Sequence, residues 1–287
     1  MTNLSPAQTA YLQKQQKHRR MISASRITLL VVFLCLWEIA ADSGRIDAFI
    51  FSCPSRLTRT CLSMCRDGSL FLHTGITLAE TLISFLLVLV IGTLAAVLLW
   101  LSRQFSEIME PYLVVLNSLP KSALAPLLIV WLGANMRTII TAGISVAIFG
   151  TIISLYTSFR EVDPDMQKLI RTLGGGRLDI LRCVILPANI PVFFSTSKIN
   201  IGLALVGVII GEFIGARQGL GYLIIYGSQV FSLDWVILSI VILCIIAMGL
   251  YTMISLLEKY CQKLQQSPCR PAPATIKNSR NFLSAAR

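Results

Sequence analysis

Six long apolar stretches divide this 287-residue chain: residues 27–41, 77–101, 112–133, 138–156, 188–211 and 235–257. A bilayer crossing needs ~20 apolar residues at 1.5 Å of rise each. The second, fourth and sixth stretches fit that length cleanly. The first is short and holds Glu38 near its end; the third and fifth carry polar residues that a plain anchor does not need. Charged residues make up 14% of the chain and the mean hydropathy is +0.72, against about 25% charge in soluble domains. Such a chain cannot cover itself with polar surface, which argues against a soluble enzyme, and its hydrophobicity argues against disorder. Backbone groups in hydrocarbon must be satisfied within the segment, and no ten-residue alternation of a membrane barrel is present. The expectation is an all-α polytopic membrane protein with six transmembrane helices over 27–257, between tails at 1–26 and 258–287.

Residues 27–41 follow Lys14, Lys17, Arg19 and Arg20, as a cleaved signal would. However, Trp37 and Glu38 lie inside the stretch, where a signal is purely apolar before its cleavage site. An uncleaved first span is therefore expected. The formal charge of +11 could suggest nucleic acid, so its placement matters. With a cytoplasmic N-terminus, 17 of the 25 Lys and Arg fall inside, six outside and two, Lys121 and Lys198, within spans. The positive-inside rule then puts both termini in the cytoplasm, and orientation accounts for the excess without nucleic acid. The tail after Pro268 has little apolar periodicity and reads as disordered.

Cys61 and Cys65 stand one helical turn apart in the first outer segment with Cys53, where a disulfide is possible. A metal site is poorly supported, because the spacing lacks a second pair and the only histidines are His18 and His73. No catalytic triad, Cys/His pair or carboxylate pair assembles at one depth, and no phosphate loop is present. An enzyme is not expected, and no cofactor is expected in this chain.

The most informative segment is the inner loop 158–186. It reads as two short amphipathic helices around a glycine turn. Asp163 can cap the first, with Pro164 at its first position. Met166, Leu169, Ile170 and Leu173 make an apolar stripe. Gly174-Gly175-Gly176 can end that helix. Leu178, Ile180, Leu181, Val184 and Ile185 continue the pattern to Leu186-Pro187. Such a piece can lie on the membrane, dock in a partner's groove or remain a solvated hairpin.

This loop resembles the "EAA" signature of type I ABC importer permeases: Glu-Ala-Ala, three residues, Gly, nine residues, Ile, one residue, Leu-Pro. Lys168-Leu169-Ile170 occupies the first three places, then Arg171 to Leu173, Gly174, nine residues, Val184, Ile185 and Leu186-Pro187. Further stretches are similar to the nitrate/sulfonate/taurine branch. They are Leu36-Trp37-Glu38, Thr77 to Leu82, Leu116-Asn117-Ser118-Leu119-Pro120-Lys121, Ala125 to Gly133, Val162-Asp163-Pro164, Arg171 to Gly174, Gly211-Glu212 and Gly219 to Ile224. The resemblance implies the type I permease fold in a bacterial cytoplasmic membrane, half of a twelve-span pore completed by a second copy. It implies two separate ATP-binding subunits, which hold ATP and Mg, and an extracytoplasmic substrate-binding protein. The loop would be the coupling element, through Asp163, Met166, Lys168, Leu169, Ile170, Arg171, Leu173, Gly174, Gly175, Arg177, Leu178, Leu186 and Pro187. Lys168 replaces the motif's acid, so the family's usual salt bridge there is in question.

For the path, the fifth span offers Ser195, Thr196, Ser197, Lys198 and Asn200, closed by Glu212. An ionisable residue in a span is a functional candidate. Lys198 could attract an anion, or snorkel to the cytoplasmic surface about two to three turns away. Glu212 could gate or pair structurally. In the third span, Asn117, Ser118 and Lys121 can face the interior, and Pro120 and Pro126 can bend the helix. Trp131 and Trp235 read as interface anchors, and Gly92, Gly202 and Gly207 as points of close helix packing. The cargo expected is a small anion or organic solute of the nitrate/sulfonate/taurine type. Alternatives are an osmoprotectant, amino acid or vitamin precursor, or an ion-coupled carrier or membrane enzyme. The last two would need buried carboxylates, an inverted repeat or catalytic clusters.

Overall fold

Apolar runs in this chain become helices because intramembrane backbone has no other partner for its N–H and C=O groups. The computed structural model describes residues 6–43 and 52–265, and every regular element among them is helical. These are α1 (Pro6–Asp42), α2 (Pro54–Arg66), α3 (Ser69–Leu101), α4 (Arg103–Ser118), α5 (Lys121–Leu132), α6 (Met136–Arg160), α7 (Pro164–Thr172), α8 (Arg177–Ile180), α9 (Ile190–Gly215), α10 (Leu220–Gln229) and α11 (Leu233–Gln265). A π-helical turn, Leu181–Ile185, and the helical turn Leu186–Ala188 join α8 to α9. The proposed tail beyond 265 lies outside the described residues. Residues 258–265, expected to open that tail, belong to α11, and the N-terminal tail is helical from Pro6.

Five helices have the length and apolarity of a membrane crossing: Ala24–Asp42, Ser69–Leu101, Met136–Arg160, Ile190–Gly215 and Leu233–Lys263. The third apolar stretch, where Pro120 and Pro126 are both candidate bends, is broken at Pro120. It is two helices, α4 and α5, that meet at 95°. The break has a local cause. Pro120 has no N–H to continue the helix and pushes Leu119 out of the α region; Leu119 is extended at φ −64°, ψ 138°. Pro126 breaks nothing and lies inside α5. The bent pair still passes from one end of the bundle to the other. Glu110 on α4 meets Arg160 at the C-terminal end of α6 at 3.9 Å, whereas α5 ends just before α6 begins.

α3, α6 and α9 form the centre. They approach closely because small residues face each other. A Cβ added at Gly207 of α9 would lie 2.8 Å from the Gly143 Cα and 2.9 Å from the Ala142 carbonyl oxygen on α6. A Cβ on Gly92 would crowd Thr151, but Gly202 has nothing within 4 Å, so only the first two act as packing points. Ser84 of α3 donates to the Ile140 carbonyl of α6 at 3.2 Å. α10 and α11 pack beside α9 and bury Leu205, Leu220, Leu223, Leu238 and Leu243 together. Trp235 belongs to this packing, stacked at 5.8 Å on Tyr226, rather than standing as a free anchor.

Glu38 ties α1 to α2. Its carboxylate accepts from Ser55 N–H at 3.1 Å and Ser55 Oγ at 2.7 Å, and so satisfies a donor in the first turn of α2. Cys61 and Cys65 are free thiols one turn apart on α2. Burial, together with the neighbouring Cys65, pushes the Cys61 thiol up from its ordinary pKa.

Candidate coupling loop and translocation path

Asp163 starts the loop. Its side chain accepts from the Asp165 N–H at 2.8 Å, with Pro164 next to it at the first helical position. α7 ends in a Schellman motif: Gly175 N–H donates to the Ile170 carbonyl at 2.9 Å and Gly174 N–H to the Arg171 carbonyl at 2.9 Å. That closure needs a left-handed residue, and Gly174 supplies it at φ +85°. No atom would touch a Cβ at Gly174, so the requirement is the backbone angle rather than space. Gly175 is the opposite case, because a Cβ there would strike Ile170.

The two halves of the loop differ in what they bury. Ile180, Leu181 and Ile185 sink into the core with Ala96, Leu99, Leu113, Ile152, Leu155, Tyr156 and Phe159, and Ile170 packs against it; Val184 is buried too. Met166, Leu169, Leu173 and Leu178 are 59%, 59%, 75% and 56% exposed. Leu178 therefore leaves the apolar pattern of its own helix and joins the exposed set. Arg177 Nη1 donates to the Leu101 carbonyl at 3.0 Å, tying the loop to the end of α3. Lys168 pairs with Asp165 at 2.8 Å on the surface of its own helix. Arg171 lies exposed beside them.

The connection to α9 is also a product of sequence. Pro187 has no N–H for the carbonyl four residues back, and the chain widens into the π turn before it. Asn189 then steadies the entry to α9. Its Nδ2 donates to the Ile185 carbonyl at 2.8 Å and its Oδ1 accepts from Ser158 Oγ.

At the opposite end, Glu212 is buried. Its carboxylate accepts from Thr77 Oγ1 at 2.7 Å and from Gly221 N–H at 2.6 Å, and Thr77 Oγ1 itself accepts from Leu220 N–H at 2.8 Å. Glu80 of α3 is buried as well, and its Oε2 has no hydrogen-bond partner among the described residues. The α9–α10 turn wraps this acid because Gly221 has no side chain: a Cβ there would lie 2.8 Å from Glu212 Oε2 and 3.1 Å from the Ile209 carbonyl. Sequence reading marked Glu212 but not Thr77 as its partner; the two stand 135 residues apart.

The polar residues of the fifth span do not form one wall. Thr196, Ser197 and Asn200 turn inward and are buried, whereas Ser195 is exposed. Ser197 donates back to the Phe193 carbonyl at 2.7 Å. Lys198 neither reaches the surface alone nor stands open to cargo. It is ion-paired with Glu258 of α11, the two side chains 22% and 17% exposed. Glu258 escaped notice because it sits 60 residues away at the far end of the last span. At the break of the bent span, Asn117 and Ser118 are exposed and Lys121 is half-buried.

Taken together, the described residues form a bundle of membrane-length helices with an anchored, apolar-faced loop at one end. Residues 88–263 match the family model described as "Binding-protein-dependent transport system inner membrane component". A Haemophilus influenzae protein named "Probable ABC transporter permease protein" is 31% identical over 225 residues, 78% of this chain and 91% of that protein. A Bacillus subtilis protein named "Putative aliphatic sulfonates transport permease protein SsuC" is 25% identical over 256 residues, 89% of this chain and 93% of its own length. Among solved structures, an inward-facing MetNI methionine ABC transporter aligns with a TM-score of 0.53 at 18% identity, over 63% of this chain and 92% of that chain. The chain belongs to the family of binding-protein-dependent ABC transporter permeases. It is an inner-membrane transport subunit, and its partners are ATP-binding subunits and a substrate-binding protein.

Proposed function

We propose that this chain supplies half of a translocation pore. It pairs with a second copy and passes a small anion or organic solute of the nitrate/sulfonate/taurine type. In each copy residues 163–178 dock into one of two ATP-binding subunits, which hold ATP and Mg, and Leu186-Pro187 carries the movement into α9. The observation that carries the reading is the split of the loop. One half is fastened in the core by Ile180, Leu181, Val184 and Ile185, and the other presents Met166, Leu169, Leu173 and Leu178 outward. An exposed apolar face on a short helix suits a groove in a partner, and the fastened half can transmit the partner's motion. Cytoplasmic placement of this end, and of both termini, is supported by the 17 of 25 basic residues assigned to that side. The named cargo of the Bacillus subtilis relative supports a sulfonate-like solute.

ATP binding must favour one pore state over the other for this to drive transport. In proteoliposomes containing both ATP-binding subunits and the binding protein, Gly174→Val is expected to abolish ATP-driven uptake while membrane insertion is unchanged. A valine at φ +85° costs roughly 1–2 kcal/mol locally and misdirects the turn. Uptake at the unmodified rate would sink the coupling assignment.

A further inference from the structure

We propose that Lys121 is the cation of an anion-binding site at the break of the bent span, taking a small solute with an oxyanion head. The inference rests on the transport reading above and adds the residue, and the depth, at which the cargo's charge is met.

Depth is the first observation. Lys121 Nζ lies 5.2 Å from the centre of the Phe149 ring. Phe149 stands near the middle of α6, which spans Met136–Arg160, roughly 20 Å from the helix start at 1.5 Å per residue. The break is thus at the level of the membrane centre. Residues 117–120 there are exposed and partly non-helical. Irregular backbone does not face lipid in the hydrocarbon; it is tolerated where it lines water or protein. Discontinuous helices at mid-depth are a recurring place for solute sites.

Charge is the second. Among the described residues Lys121 has no carboxylate partner, whereas Lys198, the other intramembrane lysine, is paired with Glu258. An ammonium has three donors. Two of them reach the carbonyls of Leu116 and Asn117, the latter at 3.1 Å, which leaves one. The Asn117 side-chain amide beside it makes no hydrogen bond within the described residues and is exposed. A cation without a counter-ion, next to an open amide, matches an anion with several acceptor oxygens and repels a cationic solute.

The test uses the complete complex with its ATP-binding subunits in nanodiscs, without nucleotide or binding protein. Calorimetry compares ethanesulfonate with the neutral, similarly shaped ethyl methyl sulfone. The expected result is a preference for ethanesulfonate of about tenfold or more. Lys121→Gln should erase that preference, Lys121→Arg should keep it, and Arg103→Gln, an exposed control, should leave it unchanged. Lys121→His should show the preference at about pH 5.5 and lose it at about pH 8, as the imidazolium deprotonates. Equal binding of both probes by the native complex, or a preference surviving in Lys121→Gln, would overturn the site. A lysine that only caps α4 would alter assembly without moving the ratio between probes. Because no ATP is present, failure of the coupling reading leaves this outcome unaffected, and the reverse also holds.

Discussion

The two ends of the molecule each turn on glycine, and they use it for opposite purposes. At the Glu212 end, Gly221 makes room, so a buried acid collects donors from α3 and α10 and locks them to α9. At the loop end, Gly174 supplies a backbone angle, and the helix it terminates stays exposed. The first end is built for permanence, because a buried polar group that loses its partner costs far more than the bond is worth. The second is built to meet something else, because its apolar surface is left uncovered.

The comparison breaks most visibly at Glu212. Glu212→Ala would leave the Gly221 N–H buried without its acceptor and the Thr77 hydroxyl with only the His73 carbonyl of its own helix. A loss of about 3 kcal/mol or more is expected, read as a lower melting temperature of the detergent-solubilised protein and a lower yield. A melting curve like that of the unmodified chain would show that the acid is not the lock. Leu173→Asp probes the other end. Its side chain is exposed, so stability should move by less than about 0.5 kcal/mol, while affinity for the ATP-binding subunits falls about tenfold or more in a pull-down titration. Unchanged affinity would take Leu173 out of the docking face. Lys168→Ala should do least. Its pair with Asp165 is solvent-exposed, and such pairs contribute 0 to about 1 kcal/mol. A large loss of subunit association would give Lys168 the contact that the family's acid makes at this position.

The sequence was legible wherever one physical requirement acted along the chain. Long apolar runs mark crossings because hydrocarbon forces local hydrogen bonding. The loop's turn was readable because Gly174, Gly175 and Pro164 carry their constraints with them. It was illegible where partners came from distant segments. Lys198 looked open until Glu258 came beside it, and Leu178 read as continuous with Ile180 and Leu181 until the fold buried those two and turned Leu178 outward. Pro120 and Pro126 both read as possible bends of the stretch 112–133, yet only Pro120 breaks it, by 95°, while Pro126 stays inside a helix.

By itself, the sequence determined that the chain lives in lipid, where it crosses, and that a glycine-terminated amphipathic loop sits between the fourth and fifth apolar stretches. These follow from local chemistry: side-chain transfer, backbone satisfaction and allowed φ. Only the tertiary structure decided which intramembrane charges are neutralised, which half of the loop is fastened and which is free, and that the third crossing is broken at mid-depth beside Lys121. Each of those depends on which segments meet in space, and pairing across 60 or 135 residues leaves no periodicity to read.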